Sequence, residues 1–141
     1  MRITFDENTP RVVAHAIKLI AEAEAAGDGL ALEVLHALDL VATGTKDAPL
    51  VQAVVEGITG PAALVTTDKA IRTRQHERAA FRETGCIGIV LRGDWNRASM
   101  WNRARLSLMW FPIWRETIRA AERGTLWQCP WSSKPKRLSS F

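Results

Sequence analysis

The chain has little cysteine: only Cys86 and Cys129 in 141 residues. So few thiols in a chain that forms a core argue against a disulfide scaffold and for a reducing compartment, with the cytoplasm as the expected location. Neither cysteine has the local His/Cys spacing of a zinc site, and Cys86, which opens an apolar run, reads as a small buried hydrophobe. No apolar run approaches the roughly 18–20 residues that span a bilayer, so no membrane partner is expected. Charge interrupts Met1–Asp6 before an apolar stretch can build, so a secretory leader is not expected either. There is no Gly-rich phosphate loop, no nucleophilic Ser or Cys motif and no His-based metal spacing. His15 and His36 fall within apolar periodic stretches and read as buried structural histidines. Internal repeats and low-complexity segments are also absent.

What is present is a globular composition, 47% apolar and 24% charged, in a length that suits one core. The net charge of +4 conceals an asymmetry. Residues 1–70 hold five Lys+Arg against ten Asp+Glu, and residues 71–141 hold fourteen against five. An acidic half joined to a basic half suggests a carboxylate-lined site beside a cationic surface.

Arg2–Phe5 reads as a strand with Asp6 at its carboxyl end. Thr9-Pro10 opens a helix that should stop near Gly27-Asp28-Gly29. Leu32–Leu38 reads as a second strand. Asp47 reads as the N-cap of a helix over Leu50–Gly57. Ala62–Thr67 is a third strand ending before Asp68. Lys69–Glu83 is helical, and Cys86–Leu91 is a fourth strand. The alternation predicts an α/β domain with a mainly parallel sheet, whose ligand crevice lies outside the strands' carboxyl ends. Beyond it, Ala98–Trp110 and Ile113–Gly124 have helical periodicity, with a break or kink expected at Pro112. All six tryptophans (Trp95, Trp101, Trp110, Trp114, Trp127 and Trp131) lie in or beside this segment. Burial against the sheet or in a homodimer seam accounts for them better than base stacking does. The expected organisation is a single domain over 1–131, with a core of about 1–94 and a helical extension of about 98–131, followed by a flexible basic tail over 132–141.

Three aspartates share the predicted carboxyl edge: Asp6, Asp47 and Asp68. Carboxylates gathered together repel, and hard divalent cations such as Mg²⁺ or Mn²⁺ offset that repulsion. Such ions can orient a water and stabilise the leaving oxygen of a phosphodiester. Lys69, Arg72, Arg74 and Arg78 follow Asp68 at once and mostly share a helix side, placing cations where a polyanion such as RNA would lie.

The run Ile3-Thr4-Phe5-Asp6-Glu7-Asn8-Thr9-Pro10 resembles the opening of PIN-like domains, the group that includes VapC-type toxins and Mut7-C-like ribonucleases. Leu64-Val65-Thr66-Thr67-Asp68-Lys69 resembles the group's second hallmark, a strand ending in Thr-x-Asp. Leu38-Asp39-Leu40 through Thr45-Lys46-Asp47 and Leu50 resembles its middle acidic segment. The resemblance covers roughly residues 1–91. It implies a three-layer α/β/α sandwich and a metal-dependent ribonuclease that serves as the toxin of a toxin–antitoxin pair, with a cognate antitoxin protein as partner. It further implies that Asp6, Asp47 and Asp68 are catalytic residues ligating Mg²⁺ or Mn²⁺, with Thr66 orienting a carboxylate or water and Asn8 supporting the Asp6 turn. Asp94 is a candidate for the fourth acid that PIN domains often use, with Glu7 and Asp39 as others. The alternative is a catalytically silent PIN-like module that binds RNA or a protein partner.

Overall fold

The computed structural model describes residues 1–141. In chain order the elements are β1 (Arg2–Phe5), α1 (Arg11–Gly27), β2 (Glu33–His36), α2 (Asp47–Val55), β3 (Ala62–Thr66), α3 (Gln75–Thr84), β4 (Ile87–Leu91), α4 (Met100–Ala120), β5 (Leu126–Cys129) and β6 (Ser139–Ser140). They build one six-stranded sheet in the order β2-β1-β3-β4-β5-β6. All neighbours are parallel except β5 and β6. No helix is long and apolar enough to cross a membrane.

Helices cover both faces of the sheet, so its central strands are apolar throughout rather than alternating. Along β3, Ala63 and Val65 join the core built with α1 and α4, while Ala62 and Leu64 join the one built with α2 and α3. Period-two alternation thus distributes one strand between two helical layers. The chain runs from β1 outward to β2, then returns across β1 to β3. The crevice at such a reversal opens at the carboxyl ends of β1 and β3, between Asp6 and Asp68.

The last third departs from its sequence reading in three ways. α4 is one continuous helix, Met100–Ala120, with Pro112 inside it. Pro112 lies on the exposed side of the helix, where a missing amide costs least. Leu126–Cys129 is not helical but a fifth parallel strand, paired with Gly88–Leu91. Residues 132–141 do not form a detached tail. Leu138 is buried, Ser139 and Ser140 pair with Gln128 and Trp127, and Phe141 packs on the second core. Two apolar side chains anchor a segment whose composition is otherwise polar.

The tryptophans mostly serve burial. Trp95, Trp110 and Trp114 are buried with Phe5, Phe111 and Leu106 between α4 and the sheet. Trp114 meets Phe5, Trp95 and Phe111 with ring centroids 6.1–6.3 Å apart, edge-on or tilted as aromatic quadrupoles favour. The indole N–H of Trp110 donates to the Ser132 carbonyl. Trp101 is the exception, 79% exposed. His36 is buried as its sequence context predicts, but His15 is exposed.

Candidate metal centre

Asp6 follows β1 directly and is 5% exposed. The register that sets Phe5 opposite Val65 brings Asp6 beside Thr66 and Thr67. Oδ1 accepts from the Thr9 amide and hydroxyl, and Oδ2 accepts from the Thr66 hydroxyl, the Thr67 amide and, at 3.4 Å, the Thr67 hydroxyl. These donors occupy most of the carboxylate's acceptor capacity. Thr9, rather than Asn8, is the side chain that supports the Asp6 turn. Asn8 contributes its carbonyl, which accepts from Arg103.

Thr66 joins two aspartates. Its hydroxyl donates to Asp6 Oδ2 at 2.8 Å and accepts from the Asp68 amide at 3.0 Å. Asp68 Oδ1 in turn accepts from the Ala70 amide and caps the short 3-10 helix Lys69–Arg72. This turn separates Asp68 from α3, so the helical stretch expected over Lys69–Glu83 is divided in two.

Asp47 is the first residue of α2, not its N-cap; Lys46 holds that position without a side-chain bond. Freed from capping, the Asp47 carboxylate faces α3. One carboxylate oxygen from each of Asp47, Asp68 and Glu77 forms a group in which all three lie within 4.8 Å of one another. Asp6 is not one of the three. Glu77, which the sequence reading did not single out, occupies the place that reading gave to Asp6. The available signal was that Glu77 is the single acid within the arginine run from Arg72 to Arg82.

The electrostatics of this group are unbalanced. Burial, then the charges of Glu77 and Asp68, push the Asp47 carboxyl from its ordinary 3.8 up to about 6, and a hydrogen bond with Glu77 favours the protonated form further. Arg74 opposes this shift. Its guanidinium donates to Glu77 Oε1 at 2.7 Å. The same bond and charge, aided by Asp68 and Asp47, raise the Arg74 pKa despite some desolvation. The other Glu77 oxygen, Oε2, is buried and, with Asp47 ionised, has no hydrogen-bond partner. An unpartnered buried carboxylate oxygen costs free energy, so a structure that keeps one in a cluster of acids calls for an explanation. Three oxygen donors with excess negative charge suit a hard divalent cation, so the residues fit Mg²⁺ or Mn²⁺.

The candidates for a fourth acid lie elsewhere. Glu7 accepts from the Gly44 amide. Asp39 pairs with Arg11 and accepts from the His36 amide. Burial alone would raise its pKa, but the His36 amide and Arg11 outweigh burial and lower it. Asp94 begins the turn after β4, exposed and outside the group. Of the basic residues, Arg74 is committed to the carboxylates, whereas Lys69, Arg72 and Arg78 line a separate cleft with Arg92. Both cysteines are buried, which pushes their thiols up to about 12 and leaves them chemically quiet.

No curated protein and no solved structure matches the chain. A family model described as a PIN like domain matches residues 1–93, which hold β1 through β4, Asp6 and all three clustered carboxylates. That match extends over more than half of the sequence, and the chain belongs to the PIN-like domain family.

Proposed function

We propose that this protein is a metal-dependent ribonuclease that hydrolyses RNA phosphodiesters. PIN-like domains are generally nucleases that use divalent metals. The observation that carries the reading is the Asp47–Asp68–Glu77 group with its buried, unpartnered Glu77 oxygen. When bound there, Mg²⁺ or Mn²⁺ would ease deprotonation of a water and offset the charge that develops on the phosphodiester.

The chain's own residues have distinct parts in this proposal. Asp47, Asp68 and Glu77 supply the anionic oxygens. Asp47 gives up the proton it holds in mildly acidic solution once positive charge is placed beside it. Asp6 is a positioning residue: it fixes the Thr66 hydroxyl, which receives the Asp68 amide and so sets the backbone from which Asp68 projects. Arg74 neutralises part of the cluster through Glu77.

A toxin role, with a cognate antitoxin as partner, belongs to the same proposal. Val12, Leu19 and Ile20 on α1, with Met100 and Trp101 on α4, are exposed apolar side chains that a second protein chain would cover. The test is cleavage of mixed RNAs by purified protein in Mg²⁺, Mn²⁺ or EDTA, together with growth on expression. Metal-dependent cleavage that Asp68→Asn abolishes is the expected result. RNA binding without cleavage in either metal would favour the silent module instead.

A further inference from the structure

Beside the carboxylate group lies a second feature of opposite charge. Lys69, Arg72, Thr73, Arg78, Arg92 and Phe141 line an open cleft of about 390 Å³. Four of the six are cations and none is an acid. None of Lys69, Arg72, Arg78 or Arg92 forms a salt bridge anywhere in the structure. Like charges converging with no acidic side chain among them repel one another, and an anion in the cleft relieves this.

The cleft also holds an aromatic ring. The guanidinium carbons of Arg72 and Arg78 lie over the Phe141 ring, 5.9 and 5.8 Å from its centroid, within cation–π range. Backbone pairing places the residue that carries this ring. Ser139 and Ser140 pair with β5, and the Phe141 amide donates to the Leu126 carbonyl at 3.0 Å. Arg92 is steadied by a hydrogen bond to Gln128 on the same strand. The C-terminal segment thus completes a cleft whose other wall is the turn and helix immediately after Asp68.

We propose that this cleft is a subsite for single-stranded RNA, in which Arg72, Arg78, Arg92 and Lys69 hold backbone phosphates and Phe141 offers a stacking face to one unpaired base. The choice of RNA among polyanions rests on the ribonuclease reading, because the cleft and the carboxylate group share the segment 68–78. An acidic peptide would satisfy the cations but leave the ring unused. A base inside a duplex is already stacked on its neighbours, so the ring selects for single strands.

The test is fluorescence anisotropy with a labelled single-stranded oligoribonucleotide, in EDTA so that no cleavage occurs, at several salt concentrations. Arg72→Ala and Arg92→Ala should each weaken binding and reduce the log–log salt slope by about 0.7, the value for one phosphate contact on a single strand. Phe141→Ala and Phe141→Leu should each weaken it about fivefold or more, and Phe141→Trp should retain it, as stacking requires. Arg119→Ala, a cation on α4 outside the cleft, should leave affinity unchanged. Circular dichroism confirms that each variant is folded. Unchanged affinity and slope for folded Arg72→Ala and Arg92→Ala would overturn the proposal, as would equal affinity of the native protein for duplex RNA. Because the assay excludes metal, the expected pattern without any cleavage in Mg²⁺ or Mn²⁺ would leave the subsite standing and defeat only the ribonuclease reading.

Discussion

Replacing Asp47 by asparagine removes one ionisable group from the carboxylate cluster at nearly constant shape. In the native fold this carboxyl is raised from 3.8 to about 6, first by burial, then by Glu77 and Asp68. A shift of about two units corresponds to about 3 kcal/mol at 1.36 kcal/mol per unit. Asp47 remains partly open to solvent, and screening reduces that figure to about 1 kcal/mol. Below about pH 4 the group is protonated in folded and unfolded chains alike and contributes nothing. Between about pH 4 and 6 the unfolded chain releases this proton while the folded chain keeps it, so stability falls as pH rises and levels off above about pH 7. Asp47→Asn lacks this term. Urea denaturation of both proteins in EDTA, repeated across that range, should show Asp47→Asn gaining about 1 kcal/mol relative to the native protein between about pH 4 and 7. A stability difference that stays constant with pH, or changes in the opposite sense, would refute the reasoning.

Thr66→Val keeps the shape of the β3 end but removes the hydroxyl that links Asp6 to the Asp68 amide. It should lower stability by about 1–3 kcal/mol and reduce the melting-temperature rise produced by Mn²⁺. Trp110→Ala empties a fully buried site between α4 and the sheet, and denaturation should show a loss of about 3–5 kcal/mol. Gly124 turns the chain into β5 at φ 78°, and an added Cβ would lie 2.8 Å from the Arg82 Cα. Gly124→Ala should therefore destabilise by about 1–3 kcal/mol, read by the same denaturation.

The parallel sheet was legible because its strands are short apolar runs ending at acids or turns, as at Phe5-Asp6 and Thr66-Thr67-Asp68. Asp68 could be singled out by its place after such an end, and Asp47 by its place at the start of a helix. Glu77 carried only the weaker signal of a lone acid in a helix whose arginines suggest a solvated face, and tertiary packing is what turns it inward against α2. The role of Asp6 also depends on pairing: the β1–β3 register brings in the threonine donors that surround it. Pro112 misled because a local rule predicts a break, whereas the buried stripe of Leu106, Trp110, Phe111, Trp114 and Ile118 holds α4 together through it. β5 was hidden by its length of only four residues, with the polar Gln128 among them, and by its distance in sequence from its partner β4.

The most direct test of the metal centre is calorimetric titration of Mn²⁺ into the native protein, Asp68→Asn and Glu77→Gln, with folding of each checked by circular dichroism. Binding by the native protein that weakens more than about tenfold in both variants is the predicted result. Native-like Mn²⁺ affinity in folded Glu77→Gln would contradict it, because the group of three carboxylates would then not be what holds the ion.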